Sequence, residues 1–357
     1  MDPTRQFTPT IQQIFSFAIE HGASDVHIKV DVAPVVRIDG KLRSIPDMAA
    51  YTAEQAKTDT LSTLNPHQQQ VIEEQRELDF SFYFGANRIR ANVYFEKDHL
   101  VGAYRLISDK LRSIQELGLP LIIEDITKMR QGLFVVAGPT GHGKSTTLAA
   151  MVNLINQSRS ENIITIEDPI EYIFKNAKSI ISQREVGSDT TSFEHAMKSS
   201  LRQDPDVILV GEMRDLETIA AAITLAETGH LVLTTLHTNN AAQTADRMLD
   251  VFPPHQQAQV RSQLANILIG IVSQRLLPKI SGGRIAAAEI LIANTAVRTT
   301  IRDGKTHQLN NIIQTGASEG MISLDDSLAQ LVTRGEISLD DAITWAIDPK
   351  HLKLKLY

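Results

Sequence analysis

The stretch Leu133-Phe-Val-Val-Ala-Gly-Pro-Thr-Gly-His-Gly-Lys-Ser-Thr-Thr-Leu-Ala-Ala-Met151 runs from an apolar strand-like segment through a glycine-rich turn into a helix-prone one. Residues 138–145 fit the phosphate-loop pattern G-x-x-x-x-G-K-[ST] at every specified position. Three glycines let the backbone curl so that successive N–H groups face a β-phosphate, and the helix start adds its positive dipole end. Lys144 would reach the β and γ oxygens, and Ser145 would offer a hydroxyl to Mg2+. The expected triphosphate cradle is therefore Gly138, Pro139, Thr140, Gly141, His142, Gly143, Lys144, Ser145 and Thr146.

A chain of 357 residues suits two domains of ~100–200 residues each. An apolar fraction of 42% supplies packed cores, and 35 basic against 42 acidic side chains leave a formal net charge of −7. That balance gives no reason to expect nucleic acid as a partner. The absence of cysteine excludes disulfides and thiolate metal sites and suits a reducing cytoplasm. No basic-then-apolar leader is visible at Met1-Asp-Pro-Thr-Arg-Gln6. The uncharged stretch Ser262 to Gln274 falls short of the ~20 apolar residues a bilayer requires, so no membrane insertion is expected.

Along the first hundred residues, Thr10 to His21 reads as a helix with Ile11, Ile14, Phe15, Ala18 and Ile19 on one face. Val35–Ile38, Asp39-Gly40 and Lys41-Leu42 read as a hairpin about a favoured two-residue turn. Asp79–Phe84, Arg88–Phe95 and Leu100–Ile107 read as further strands, giving a small α+β domain over 1–110. Looser patterning around Gly118-Leu-Pro120 places a linker over 111–120. From 121 to 357 apolar strands alternate with helical segments, the signature of an α/β domain with a parallel sheet. The expected strands are Leu133–Ala137, Ile163–Ile166, Val207–Val210, Leu231–Thr235 and Ala286–Ile292. Ser-Leu-Asp-Asp occurs at 323–326 and again at 338–341, as two serine N-caps with acids at the positive helix end would.

Hydrolysis needs an acid beside the metal and a group that activates water. Glu212 ends the buried run Asp206-Val-Ile-Leu-Val-Gly-Glu212 and is the expected metal-side acid, alongside Ser145. Glu167 comes first off the strand Ile163–Ile166 and is the expected base, with solvated turn acids as the alternative. His230 and His237 bracket one strand ~23 Å apart, so they cannot share a metal, while either could sense the γ-phosphate.

The phosphate loop with its extension, Ile164-Thr-Ile-Glu-Asp-Pro-Ile-Glu171, Gln183-Arg-Glu-Val186, Leu201-Arg-Gln-Asp-Pro-Asp206, Gly211-Glu-Met-Arg-Asp215 and Ala226-Glu-Thr-Gly-His-Leu-Val232 together resemble the secretion-type ATPases, nearest the PilT-type pilus retraction motors. The resemblance spans nearly the whole chain, from Gly22-Ala-Ser-Asp-Val-His-Ile28 to Ala296-Val-Arg-Thr-Thr-Ile-Arg-Asp303 and Gly320-Met321. It implies a PAS-like N-terminal domain and a RecA-like C-terminal domain. It also implies a cytoplasmic homohexamer that binds ATP and Mg2+ beneath an inner-membrane pilus platform protein, with a paralogous retraction ATPase as a further partner. By position, Glu167 becomes the general base, Glu212 the acid near Mg2+, and His230 a member of the family's histidine box. Arg88, Arg90 and Arg105 match arginines that approach nucleotide from the mobile domain or a neighbour, as arginine fingers do.

Two positions depart from the family's pattern. His142 stands where serine is usual, in a variable slot of the loop. Thr300 stands where the retraction motors resemble one another in a leucine. The expected function is an ATP-driven motor for pilus retraction and twitching motility, with a pilus-assembly or type II secretion ATPase as the alternative. Such motors resemble chains with a long extra N-terminal domain and a four-cysteine zinc module, neither of which is visible here. A nucleic-acid motor and an inactive nucleotide-binding partner subunit complete the alternatives.

Overall fold

A computed structural model describes residues 5–38, 40–107 and 111–356. Two compact units divide the chain: residues 1–110 with 171–173, and residues 111–170 with 174–357. The expected boundary at residue 110, like Asp39 of the hairpin turn, lies outside the described residues.

In the first unit an antiparallel sheet has the order β3-β2-β1-β6-β5-β4. Its strands are β1 (Asp25–Ile28), β2 (Val35–Ile38), β3 (Lys41–Ser44), β4 (Glu77–Phe84), β5 (Asn87–Glu96) and β6 (His99–Ile107). The hairpin pairs Ile38 with Lys41 as its sequence predicts. The helix Pro9–Glu20 starts on Thr8, whose side chain accepts the Ile11 N–H, and it buries Ile11, Ile14, Phe15 and Ala18 against the sheet core. Phe15 meets Tyr104 edge-on at 5.3 Å, a geometry worth about 0.5–1.5 kcal/mol beyond area burial. Two helices that the sequence reading did not identify, Ala53–Ser62 and Pro66–Gln75, each begin with a capping box, on Thr52 and Asn65.

The second unit is a RecA-like α/β fold whose sheet has the order β13-β12-β7-β11-β10-β8-β9. Its strands are β7 (Gly132–Ala137), β8 (Asn162–Glu167), β9 (Ile180–Glu185), β10 (Val207–Val210), β11 (Leu231–Leu236), β12 (Leu268–Pro278) and β13 (Arg284–Ile292). Every pairing is parallel except β12 with β13. Strands β7, β10 and β11 are buried at every residue, as near-continuous apolar runs covered on both faces should be. Strands β9 and β12 are additions to the sequence reading. The tail repeat is a pair of N-caps: Ser323 accepts from the Asp326 N–H and Ser338 from the Asp341 N–H. The helices they begin pack on Leu277 of β12 and Ala287 of β13. Among the described residues no helix is long and apolar enough to cross a membrane.

Candidate nucleotide site

The register of the parallel strands brings four chain segments to one edge of the sheet. Ala137 pairs with Leu236, Thr234 with Val135, and Val210 with both Thr234 and Ile166. The phosphate loop after β7, His237 after β11, Glu212 after β10 and Glu167 at the end of β8 therefore leave neighbouring strands at their C-terminal ends. This is the edge where open α/β sheets collect ligands.

The loop between β7 and the helix Lys144–Ser158 curls through Gly141 at φ 80° and Gly143 at φ 84°. Gly138 allows a close approach, since a Cβ there would sit 2.5 Å from the Gln274 carbonyl oxygen. Lys144 is buried, and its Nζ donates to the carbonyls of Gly138 (2.9 Å) and Pro139 (3.0 Å). The first N–H groups of the helix face the loop with no side-chain cap at Gly143. That leaves the positive helix end for an anionic ligand.

Glu212 is positioned by β11. Thr235 donates its hydroxyl to the Gly211 carbonyl at 2.7 Å, and the Met213 N–H reaches the Thr235 carbonyl. Its carboxylate pairs with Arg214 and lies 3.0 Å from His237 Nε2. The other nitrogen, His237 Nδ1, lies 3.4 Å from Lys144 Nζ and 3.3 Å from Thr140 Oγ1. An ammonium can only donate, so Nδ1 accepts and the ring proton sits on Nε2, facing Glu212. Burial, then the charges of Lys144 and Arg214, lower the His237 pKa, the direction that suits a ring accepting at Nδ1. Glu167 is buried, and its Oε1 accepts from Thr165 Oγ1 at 2.6 Å and from Gln183 Nε2 at 3.4 Å. Gln183 thereby gives the Gln183–Val186 motif a concrete contact with the candidate base.

His230 is not brought to this edge. It precedes β11, so it stands at the opposite end of the strand, about 20 Å from the loop at the rise of a parallel strand. Its Nδ1 meets the Leu225 carbonyl at 2.9 Å and Thr228 Oγ1 at 3.1 Å, closing the end of the preceding helix. Of the two histidines that the sequence reading offered for sensing the γ-phosphate, it is His237 that lies beside the loop. The signal was available: the phosphate loop follows its strand, so in a parallel sheet the residue that follows β11 shares its edge.

In the first unit, β5 and β6 pair Arg90 with Arg105, and Arg88 lies two residues along β5 on the same face, opposite the buried Ile89 and Ala91. Arg105 Nε is tied to Asp25 Oδ1 at 2.8 Å, and the Arg88 guanidinium lies 5.5 Å from the Tyr83 ring centre. Burial raises the Asp25 carboxyl, but hydrogen bonds from Ser24 and Arg105 and the Arg105 charge outweigh it and hold the group below its ordinary range.

Sequence reading missed Gln274, which is buried at the base of the loop. Its Nε2 donates to the His142 carbonyl at 2.9 Å and its Oε1 accepts from Thr147 Oγ1 at 2.7 Å. One amide thus clasps the loop to the first turn of the helix.

Comparison with known proteins identifies the family. The family model described as "Type II/IV secretion system protein" matches residues 108–319. The type IV pilus retraction ATPase PilT of Pseudomonas aeruginosa is 44% identical over 342 residues, covering 96% of this chain and 99% of that protein. A twitching motility protein of Neisseria gonorrhoeae is 46% identical, over 87% of this chain and 83% of its own length. Among solved structures, the crystal structure of the pilus retraction motor PilT with bound ADP superposes with a TM-score of 0.90 at 46% identity, covering 96% of this chain and 99% of that one. The chain belongs to the type II/IV secretion system protein family, in its PilT-type branch.

Proposed function

We propose that this chain is an ATPase motor that powers type IV pilus retraction, and hence twitching motility, as a homohexamer in the cytoplasm at an inner-membrane platform protein. The observation that carries the chemistry is the contact chain Glu212–His237–Lys144, which ties the metal-side acid to the phosphate lysine through one neutral imidazole. The loop N–H groups and Lys144 hold the β and γ phosphates. Ser145 and Glu212 fit Mg2+, a hard cation that is held through one or two oxygen side chains plus substrate phosphates rather than by an all-protein cage. Among the described residues no cluster of three or more His, Asp or Glu side chains could serve as such a cage. Bound there, the ion would neutralise charge on the transferring phosphoryl group.

Glu167, oriented by Thr165 and Gln183, accepts a proton from the attacking water. His237 keeps Lys144 and Glu212 in register as charge shifts. Arg88, Arg90 and Arg105 are the candidates for a finger, Arg105 being held by Asp25 and Arg88 lying against the Tyr83 ring. The full-length likeness to retraction proteins supports the retraction direction, and the absence of cysteine counts against the zinc-bearing assembly and secretion motors. Deleting the gene and counting surface pili tests the direction. Excess pili with lost twitching is the expected result, and bald cells would assign assembly instead. Purified protein whose ATP turnover depends on single-stranded DNA would sink the pilus reading altogether.

A further inference from the structure

The phosphate loop has a second attachment that nucleotide binding does not require. β7 ends at Ala137, paired with Ser273, while β12 continues to Pro278, so beyond Ser273 the loop itself lies along β12. There the Leu276 N–H donates to His142 Nδ1 at 3.0 Å. A ring nitrogen that accepts is unprotonated, so the imidazole bonds β12 as a neutral group with its proton on Nε2. The same ring stands edge-on to the indole of Trp345, centroids 5.2 Å apart at 70°. Trp345 is the last residue of the helix Leu339–Trp345 and the only tryptophan in the chain. Arg275, the β12 residue between the two that grip the loop, places its guanidinium carbon 5.9 Å from the indole centre. It also donates to the Gln274 carbonyl (3.0 Å) and the Asn239 carbonyl (2.8 Å).

We propose that His142 is a positioning residue through which the C-terminal helical segment sets the conformation of the phosphate loop, with Trp345 as the contact that transmits it. The inference rests on the loop binding nucleotide. Removing the indole frees the imidazole to leave Leu276, and the loop then populates conformations that bind less well, so apparent affinity falls with the competent fraction. The tail becomes a second input to the nucleotide site, through the one loop residue that departs from the family's usual serine.

The single tryptophan makes the coupling directly readable. Calorimetry establishes whether the full chain binds Mg-ADP, and Trp345 emission is followed through the same titration. We expect emission to shift with nucleotide. In His142→Ala the shift disappears while binding persists, weakened roughly two- to tenfold, the range spanned by an aromatic edge contact. Trp345→Ala weakens binding by a similar factor, Trp345→Phe restores it, and the double variant binds no worse than either single one. His142→Asn, which keeps an acceptor but no ring, separates the two contacts by retaining part of the affinity without the emission shift. Binding without any change in Trp345 emission, or single effects that multiply in the double variant, overturns the coupling. Failure of the wild-type chain to bind Mg-ADP overturns both the coupling and the ATPase reading.

Discussion

The two edges of the parallel sheet carry the same kinds of residue and do different things with them. At the C-terminal edge, His237 joins Lys144 to Glu212, and Glu167 is held ready by Thr165 and Gln183. At the N-terminal edge, His230 closes a helix end on the Leu225 carbonyl. There the Leu201–Asp206 motif, which looks as distinctive as any other in the sequence, braces β8. Asn162 donates its side chain to the Gln203 and Asp204 carbonyls and its N–H to Asp206 Oδ2. A motif's distinctiveness does not say which edge it serves. The strand direction does, because successive parallel strands present all their C-terminal ends, and the helix N-termini that follow them, on one side.

Substitutions at the two edges should separate cleanly. The largest effect is expected for Glu167→Gln, which should leave the fold and nucleotide affinity but remove the proposed proton acceptor. Steady-state kinetics should show kcat lowered by about 10²–10⁴-fold with KM nearly unchanged. Next comes His237→Ala, which uncouples Lys144 from Glu212 and should lower kcat about 10–100-fold, the usual scale for a group that orients others. An unaffected His237→Ala enzyme would break the comparison.

A pH measurement sharpens it further. Burial, then the charges of Arg275, Lys144 and Arg284, lower the His142 pKa. The unfolded chain therefore takes up this proton at a higher pH than the folded one, and folding stability must fall as pH drops through the ordinary histidine range near about 6.5. Thermal melts between about pH 7 and 5 should show the wild type losing more stability than His142→Asn. The smallest catalytic effect is expected from His230→Ala, with turnover unchanged and a stability loss of about 0.5–1.5 kcal/mol from one helix-end hydrogen bond, read in a denaturant midpoint.

Much of this arrangement was legible in the chain itself. The phosphate loop, the apolar runs of β7, β8, β10 and β11, the hairpin of the first unit and both serine caps follow from local chemistry. Strand β12 did not, because the helix Pro254–Ile267 passes straight into it with Leu268 as cap and neither proline nor polar turn between them. Its sequence is apolar enough to suit either state, and only the partners on each side, β7 and β13, make it a strand. Strand β9 was missed for the opposite reason: it is an edge strand paired only with β8, half exposed, and so lacks a continuous apolar run.

The sequence by itself determined that a phosphate-loop pattern sits between a strand and a helix, which acids follow which strands, and which family the chain belongs to. These depend on spacing along the backbone, and spacing is local. The tertiary structure decided which histidine meets Lys144, that Gln274 clasps the loop, and that His142 touches Trp345. Those contacts join residues 93, 132 and about 200 positions apart: strand order and register bring the first two pairs within hydrogen-bond reach, and the packing of the tail helices on β12 and β13 brings Trp345 to His142.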